Sequence, residues 1–202
     1  MGIQFKDSQT KENLMKAFAG ESQARNRYTF AAEEARQQGM YAVSEVFLFT
    51  AEQERAHAER FYDLLKNLSG STIEITAGYP IDKQDTLEEL LLSARHNEFE
   101  EADDVYQSFG RTAKDEGFME VASAFFQIAE IEKIHGKRFE KLAELLENGT
   151  YFEASESGEW MCLNCGHIHT GNKVPGVCPV CRHEKGFFIP LELAPYMSKE
   201  LQ

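Results

Sequence analysis

Apolar residues recur at three- and four-residue spacing through most of the first 147 positions, the period of helices with one buried face. The spacing predicts a first helix from about Thr10 to Gln38, stopped by Gly39, and a second from about Tyr41 to Leu68, stopped by Ser69-Gly70. A third begins at the capping box Thr86-Leu-Glu-Glu89 and ends near Gly117; a fourth runs from Phe118 to Glu147. Short links make helices one and two, and three and four, antiparallel neighbours. Residues 71–84, with β-favouring Thr72-Ile-Glu-Ile-Thr76 and then Pro80, must cross between the pairs. The expected class is mostly α, a four-helix bundle with one crossover.

An internal repeat supports this layout. With Gly39 set on Gly117, Val43 falls on Val121, Phe47 on Phe125, Ala51 on Ala129, Glu54 on Glu132, His57 on His135, Phe61 on Phe139 and Leu64 on Leu142. Upstream, Tyr28 falls on Tyr106. The bundle is thus expected to be two copies of one helical hairpin about a pseudo-two-fold axis.

Composition changes the picture after residue 159, where all four cysteines, Trp160 and four of the five prolines lie. This shift marks a second, small domain, so the expected division is 1–147, a linker at 148–158, and 159–202. The chain carries 34 acidic against 21 basic residues, a formal charge of -13, which excludes general phosphate-backbone binding and so nucleic acid as a partner. Purely apolar runs are only a few residues long, as at Val46–Phe49, and the first residues lack a signal-like hydrophobic stretch, so the expectation is no membrane contact and a cytoplasmic location.

Each hairpin's second helix carries Glu-x-x-His, as Glu54-Gln-Arg-His57 and Glu132-Lys-Ile-His135. Residues at i and i+3 share a helix face about 4.5 Å apart along the axis, so carboxylate and imidazole can reach one metal. The first helices offer Glu21 and Glu98. A single Glu-x-x-His usually belongs to a solvated face; two copies at equivalent positions among Phe47, Ala51, Phe61 and their counterparts point to metal. One Glu from each of two helices plus Glu-x-x-His from each of the others is the dinuclear carboxylate pattern of helical bundles. Burying that many ionisable groups without a cation would be very costly.

The two halves differ at two points. Glu98 is followed three residues later by Glu101, where the first half has Ala24 after Glu21, so Glu101 is expected as a fifth carboxylate on the site and Glu100 as the solvated neighbour. Glu21 precedes Tyr28 by seven residues, whereas Glu98 precedes Tyr106 by eight. If the glutamates are equivalent, the extra residue is most simply absorbed as a π-bulge in helix three. The hydroxyls of Tyr28 and Tyr106 are placed to bond ligand carboxylates, with core tyrosines satisfied elsewhere as the even alternative.

Cys162-Leu-Asn-Cys165 and Cys178-Pro-Val-Cys181 form two knuckles with 12 residues between them. Four thiolates so spaced make a tetrahedral site that suits zinc as well as iron.

With both motifs in hand, the chain resembles rubrerythrin over nearly its whole length: a ferritin-like di-iron bundle followed by a rubredoxin-like domain around Trp160, Cys162, Cys165, Gly166, Cys178, Pro179 and Cys181. The resemblance implies that Glu21, Glu54, His57, Glu98, Glu101, Glu132 and His135 bind two irons, with one iron exchanging His57 for Glu101 as its oxidation state changes. It implies reduction of hydrogen peroxide to water, with electrons arriving singly through a third iron on the cysteines. Their source would be an external redox protein or NAD(P)H-dependent reductase, since no Gly-rich dinucleotide fingerprint occurs here. From His135 to Glu147 is 12 residues, about 18 Å of helix, which sets the cysteine domain away from its own di-iron site. The head-to-tail homodimer implied by the family would place it beside a partner's irons. The main alternative is a ferroxidase or iron-handling protein; a zinc-ribbon interaction module on a structural bundle and an oxygen-activating enzyme are weaker ones.

Overall fold

The computed structural model describes residues 3–196; the end of the tail expected at 159–202 lies outside the described residues. Five α-helices precede a three-stranded sheet: α1 (Gln9–Gln37), α2 (Tyr41–Leu64), α3 (Leu87–Glu100), α4 (Tyr106–Asp115) and α5 (Met119–Glu147). Between α3 and α4 lies a π-helix, Glu101–Val105, so the predicted third helix is one rod wound wider at its middle. The bundle is ferritin-like, with α1 against α2 and α3–α4 against α5.

Local chemistry sets these ends. The Ser8 hydroxyl accepts from the Lys11 amide at the start of α1, and Thr86 and Glu89 complete the predicted capping box of α3. Gly39 and Gly117 take φ of +73° and +89°, and the amide three residues past each helix bonds back at 2.8 Å, Met40 to Ala35 and Phe118 to Ala113. The two hairpins therefore turn by the same Schellman motif. Helix α2 stops at Leu64, short of the predicted Leu68, and the last residues tighten into a 3₁₀ turn, Lys66–Leu68. Residues 71–84 form neither helix nor strand, despite the β-branched run at Thr72–Thr76: the crossover lies over the helices with no second strand to pair with.

The core has two apolar ends and a charged middle. One cluster joins Tyr28, Phe47, Phe139 and Leu142; the other joins Leu14, Phe61, Tyr106 and Phe125. The stacked pair Phe47–Phe139, 5.1 Å between ring centres, and the pair Phe61–Phe125, 5.0 Å, are repeat counterparts of each other. The pseudo-two-fold axis passes between them, through the layer holding the glutamates and histidines.

After the bundle, β1 (Glu153–Cys162) lies between β2 (Ile168–Lys173) and β3 (Phe188–Pro190), antiparallel to both. Trp160, Cys162, Val174, Cys178 and Phe188 form a core of their own under these strands.

Candidate metal centre

Four of the five helices deliver an acid or a histidine to one level. Glu21 on α1, Glu54 and His57 on α2, Glu98 on α3, and Glu132 and His135 on α5 are all buried, the four glutamates and His135 at 1% exposure or less. Their ligand atoms form two overlapping groups, each within 4.8 Å: Glu21, Glu54, His57 and Glu132, and Glu54, Glu98, Glu132 and His135. Glu54 and Glu132 belong to both, which suits bridging carboxylates between two cations. Nδ1 of His57 lies 2.9 Å from Glu132 and 3.2 Å from Glu54; Nδ1 of His135 lies 2.8 Å from Glu132 and 2.9 Å from Glu54.

These separations match a cation's coordination shell better than a hydrogen-bond network. Donor atoms about 3 Å apart are the edges of an octahedron with bonds of about 2.1 Å. Both Glu132 oxygens, Oε1 of Glu54, Oε2 of Glu21 and of Glu98, and both ring nitrogens of His135 are buried without an aligned hydrogen-bond partner. Close contacts without bonding alignment place these atoms around shared points, and unpaired buried polar atoms are costly unless a cation satisfies them. The donor set fits two metal ions.

The metal-free charge balance is carried by protons. Burial opposes charge on the imidazoles, yet Glu132 and Glu54 outweigh it and raise His57 to about 10; the same residues, with Glu98, raise His135 to about 12. Burial raises Glu54, but its close contacts with the imidazoles of His135 and His57 win and hold it at about 2. Burial and the Glu54 carboxylate push Glu98 to about 8, and burial beside Glu132 pushes Glu21 well above the usual carboxylate range.

The tyrosines bond crosswise rather than along their own helices. Tyr28 on α1 donates to Oε1 of Glu98 on α3, and Tyr106 on α4 donates to Oε1 of Glu21 on α1, each at 2.5 Å. In both glutamates the other oxygen is the one left free for the centre. Burial next to these carboxylates keeps both phenols protonated, and so donors.

Glu101 belongs to neither ligand group. It opens the π-helix, beside the cage, and lines a cavity of about 240 Å³ together with Gly20, Tyr79 and Tyr106. Burial and the Glu98 carboxylate raise it well above the usual range. Tyr79, in the crossover, was not singled out by sequence; a lone aromatic before a proline in a polar connection was its only signal.

In the strand module, Sγ of Cys162 and Cys181 are 3.7 Å apart, as are those of Cys165 and Cys178, and all four lie within 4.8 Å. A tetrahedron with metal–sulfur bonds of about 2.3 Å has edges of about 3.8 Å, so this cluster fits one metal. Each knuckle ends in a left-handed residue, Gly166 (φ +77°) and Arg182 (φ +65°). The backbone amide of His183 lowers the Cys181 thiol to about 5, while burial raises Cys162 to about 12.

Comparison with known proteins decides the family. The rubrerythrin profile matches residues 12–143 and again 89–158, and the profile of the rubrerythrin rubredoxin-like domain matches 160–189. The chain belongs to the rubrerythrin family. It is 48% identical to rubrerythrin-1 of Clostridium acetobutylicum over 185 residues, covering 91% of this chain and 94% of that one. Rubrerythrin of Porphyromonas gingivalis is 43% identical over 192 residues, with 95% and 94% covered. Among solved structures, fully reduced nigerythrin aligns over 91% of this chain and 90% of its own, with TM-score 0.62 and 28% identity. Bacterioferritin of Desulfovibrio desulfuricans, at 23% identity and TM-score 0.63, shares the fold. Rubrerythrins combine a di-iron carboxylate site with a rubredoxin-like four-cysteine site, and this chain has both donor sets. Among the described residues, no helix is long and apolar enough to cross a membrane.

Proposed function

We propose that this rubrerythrin is a non-haem di-iron peroxidase that reduces hydrogen peroxide to water. The observation that carries the reading is the pairing, in one chain, of a two-cation cage with a tethered four-thiolate site. A protein that only oxidised ferrous iron would draw its electrons from that substrate and would have no use for a second, electron-accepting module.

In this reading Glu21, Glu54, His57, Glu98, Glu132 and His135 hold two irons, with Glu101 the ligand that exchanges with His57, and Cys162, Cys165, Cys178 and Cys181 hold the third. A diferrous pair supplies one electron from each ion, which balances H2O2 + 2 e⁻ + 2 H⁺ → 2 H2O. The protein's part is positioning. Glu54 and Glu132, common to both groups, fix the spacing of the centre, and the two Nδ1 atoms face it from opposite helices. Tyr28 and Tyr106 each occupy one oxygen of an end carboxylate and so orient the other. Glu101 stands on the cavity side, where a proton held on its carboxyl can pass to departing water.

Electrons would come from an external redox protein or NAD(P)H-dependent reductase and enter at the cysteines. The module packs beside Tyr41 at one end of the bundle, and Tyr41 lies 13 residues, about 20 Å of helix, before Glu54. That separation supports a head-to-tail homodimer in which one chain's cysteine site serves its partner's irons.

The test is anaerobic reduction of the iron-loaded protein followed by one equivalent of peroxide or of dioxygen. Faster reoxidation by peroxide is expected; faster reoxidation by dioxygen overturns the assignment. A strictly monomeric preparation turning over at full rate at high dilution removes the dimer.

A further inference from the structure

The pseudo-two-fold repeat gives the two metal positions nearly equivalent surroundings, but the crossover at residues 71–84 exists once and covers one side only. On that side a cavity reaches Glu101, next to the cage. Glu21, Glu54, Glu98, Glu132 and His135 are closed off from solvent, whereas Glu101 is half-buried and forms part of the wall of the 240 Å³ cavity. The cavity runs between α1, the π-helix and the crossover residues Ala77–Pro80.

Tyr79 is fastened across this space. Its hydroxyl donates to the Lys16 carbonyl of α1 at 2.9 Å. Three residues on, Asp82 pairs with Arg27 of α1 and accepts from Asn97 of α3 at 2.7 Å, so the strap is pinned to both walls. The ring lies over Gly20: a Cβ there would be 3.6 Å from the ring's Cε1 and 4.0 Å from Oε1 of Glu101. Ring and carboxylate thus face one another across the gap that the missing side chain leaves. Tyr79 as a whole remains 40% exposed, as expected of a residue at an entrance.

We propose that this cavity is the oxidant's way in, and that Tyr79 is the specificity-determining residue that admits hydrogen peroxide and turns away bulky organic hydroperoxides. The inference rests on the peroxidase reading. The small HOOH molecule passes between ring and carboxylate, whereas an aryl-alkyl group meets the ring, which its tether prevents from swinging aside. The reaction is unchanged in kind: an organic hydroperoxide would take two electrons and two protons to give an alcohol and water.

The experiment uses full-length, iron-loaded, reduced protein and its Tyr79→Ala, Tyr79→Phe and Ile81→Ala variants. Ile81, on the same strap, is 90% exposed and serves as the control for general loosening. Reoxidation is followed with hydrogen peroxide and with cumene hydroperoxide, and removal of ferrous iron by 2,2′-bipyridyl is timed separately. In Tyr79→Ala the rate ratio of cumene hydroperoxide to hydrogen peroxide should rise about tenfold, within the range by which pocket shape discriminates substrates. Chelation should quicken by several-fold; Tyr79→Phe, which keeps the ring and loses its tether, should move both readouts in the same direction by less, and Ile81→Ala should keep the parent ratio and chelation rate. An unchanged ratio and unchanged chelation in Tyr79→Ala overturn the gate, as does the same increase in Ile81→Ala. Should neither hydroperoxide oxidise the parent protein, the peroxidase reading fails, and the chelation rates still decide whether Tyr79 guards the centre.

Discussion

Gly186 of the cysteine module lies directly against the carbonyl of Gly39 at the α1–α2 turn: a Cβ on Gly186 would sit 1.6 Å from that oxygen. Beside this contact Tyr41 and Phe187 stack with ring centres 4.3 Å apart, and Tyr151 donates to the Phe188 carbonyl at 3.2 Å. No side chain can bend out of the way of a backbone oxygen, so Gly186→Ala must separate the two surfaces, at a cost of about 1–3 kcal/mol for overpacking. The variant should keep the four-cysteine chromophore, lose the Tyr41–Phe187 stack, and be cut faster by protease within residues 148–158. Cleavage at the parent rate would show that the seam does not hold the module.

The crosswise tyrosines tie opposite halves of the bundle through the ligand layer. Removing either hydroxyl leaves a buried carboxylate oxygen unpaired, which costs about 1.5–3 kcal/mol for a hydrogen bond to a charged group. Because Tyr28–Glu98 and Tyr106–Glu21 are counterparts under the repeat, Tyr28→Phe and Tyr106→Phe should lower thermal stability by similar amounts. A loss in one variant with none in the other would mean that one carboxylate is held by something else.

Much of this centre was legible in the residues. Glu54-x-x-His57 and Glu132-x-x-His135 announced their faces because helix periodicity is a local property, and the repeat doubled the signal. Counting seven residues from Glu21 to Tyr28 against eight from Glu98 to Tyr106 located the π-helix, since one surplus residue must be absorbed somewhere. That the two tyrosines could bond ligand carboxylates was legible, but which carboxylate each takes was not, because that depends on how α1 faces α3 and α4 across the core. Nor was the path of the crossover: Thr72–Thr76 has strand-forming residues, but a strand needs a neighbour and none is within reach. Arg182 in a left-handed conformation was hidden as well; its counterpart Gly166 suits that geometry, while Arg182 is forced into it by the same knuckle closing on Cys178.

Protons stand in for cations in the metal-free cage, and this sets a sign for its pH dependence. Glu98 (about 8 when folded, ordinarily 4.5) and His57 (about 10, ordinarily 6.5) both bind protons more tightly in the folded state. Folded protein therefore holds more protons than unfolded, and stability falls as pH rises, from about 4.5 to 8 through Glu98 and from about 6.5 to 10 through His57. Glu54, held at about 2, acts oppositely and only below its ordinary value. Metal-free protein should thus melt at progressively lower temperature from pH 5 to pH 9, and ferrous binding should release protons and tighten as pH rises. Calorimetry in buffers of different ionisation enthalpy measures the release. A flat or rising melting temperature, or binding without proton release, would contradict the charge balance described above.

The π-helix offers a sharper test, because its surplus residue can be removed. Asp103 is exposed within Glu101–Val105, and deleting it shortens the interval from Glu98 to Tyr106 to seven, as in the first half. The segment can then close into a regular α-helix, which is intrinsically better hydrogen-bonded. Because the wider turn absorbs the surplus residue, removing it leaves Glu98 and Tyr106 in the seven-residue register that Glu21 and Tyr28 have in the first half, and the change falls on Glu101, whose counterpart there is Ala24. Packing of α4 on α5 holds Tyr106 in place, since a Cβ on Gly110 would be 2.5 Å from the Phe126 ring. Glu101 then leaves the cavity wall while Glu21, Glu54, His57, Glu98, Glu132 and His135 stay together. The deletion should leave the bundle folded and both metal sites loaded while reoxidation by peroxide slows by about 100-fold, measured by stopped flow at known iron per chain. Reoxidation at the parent rate would show that the wider turn is not what aims Glu101.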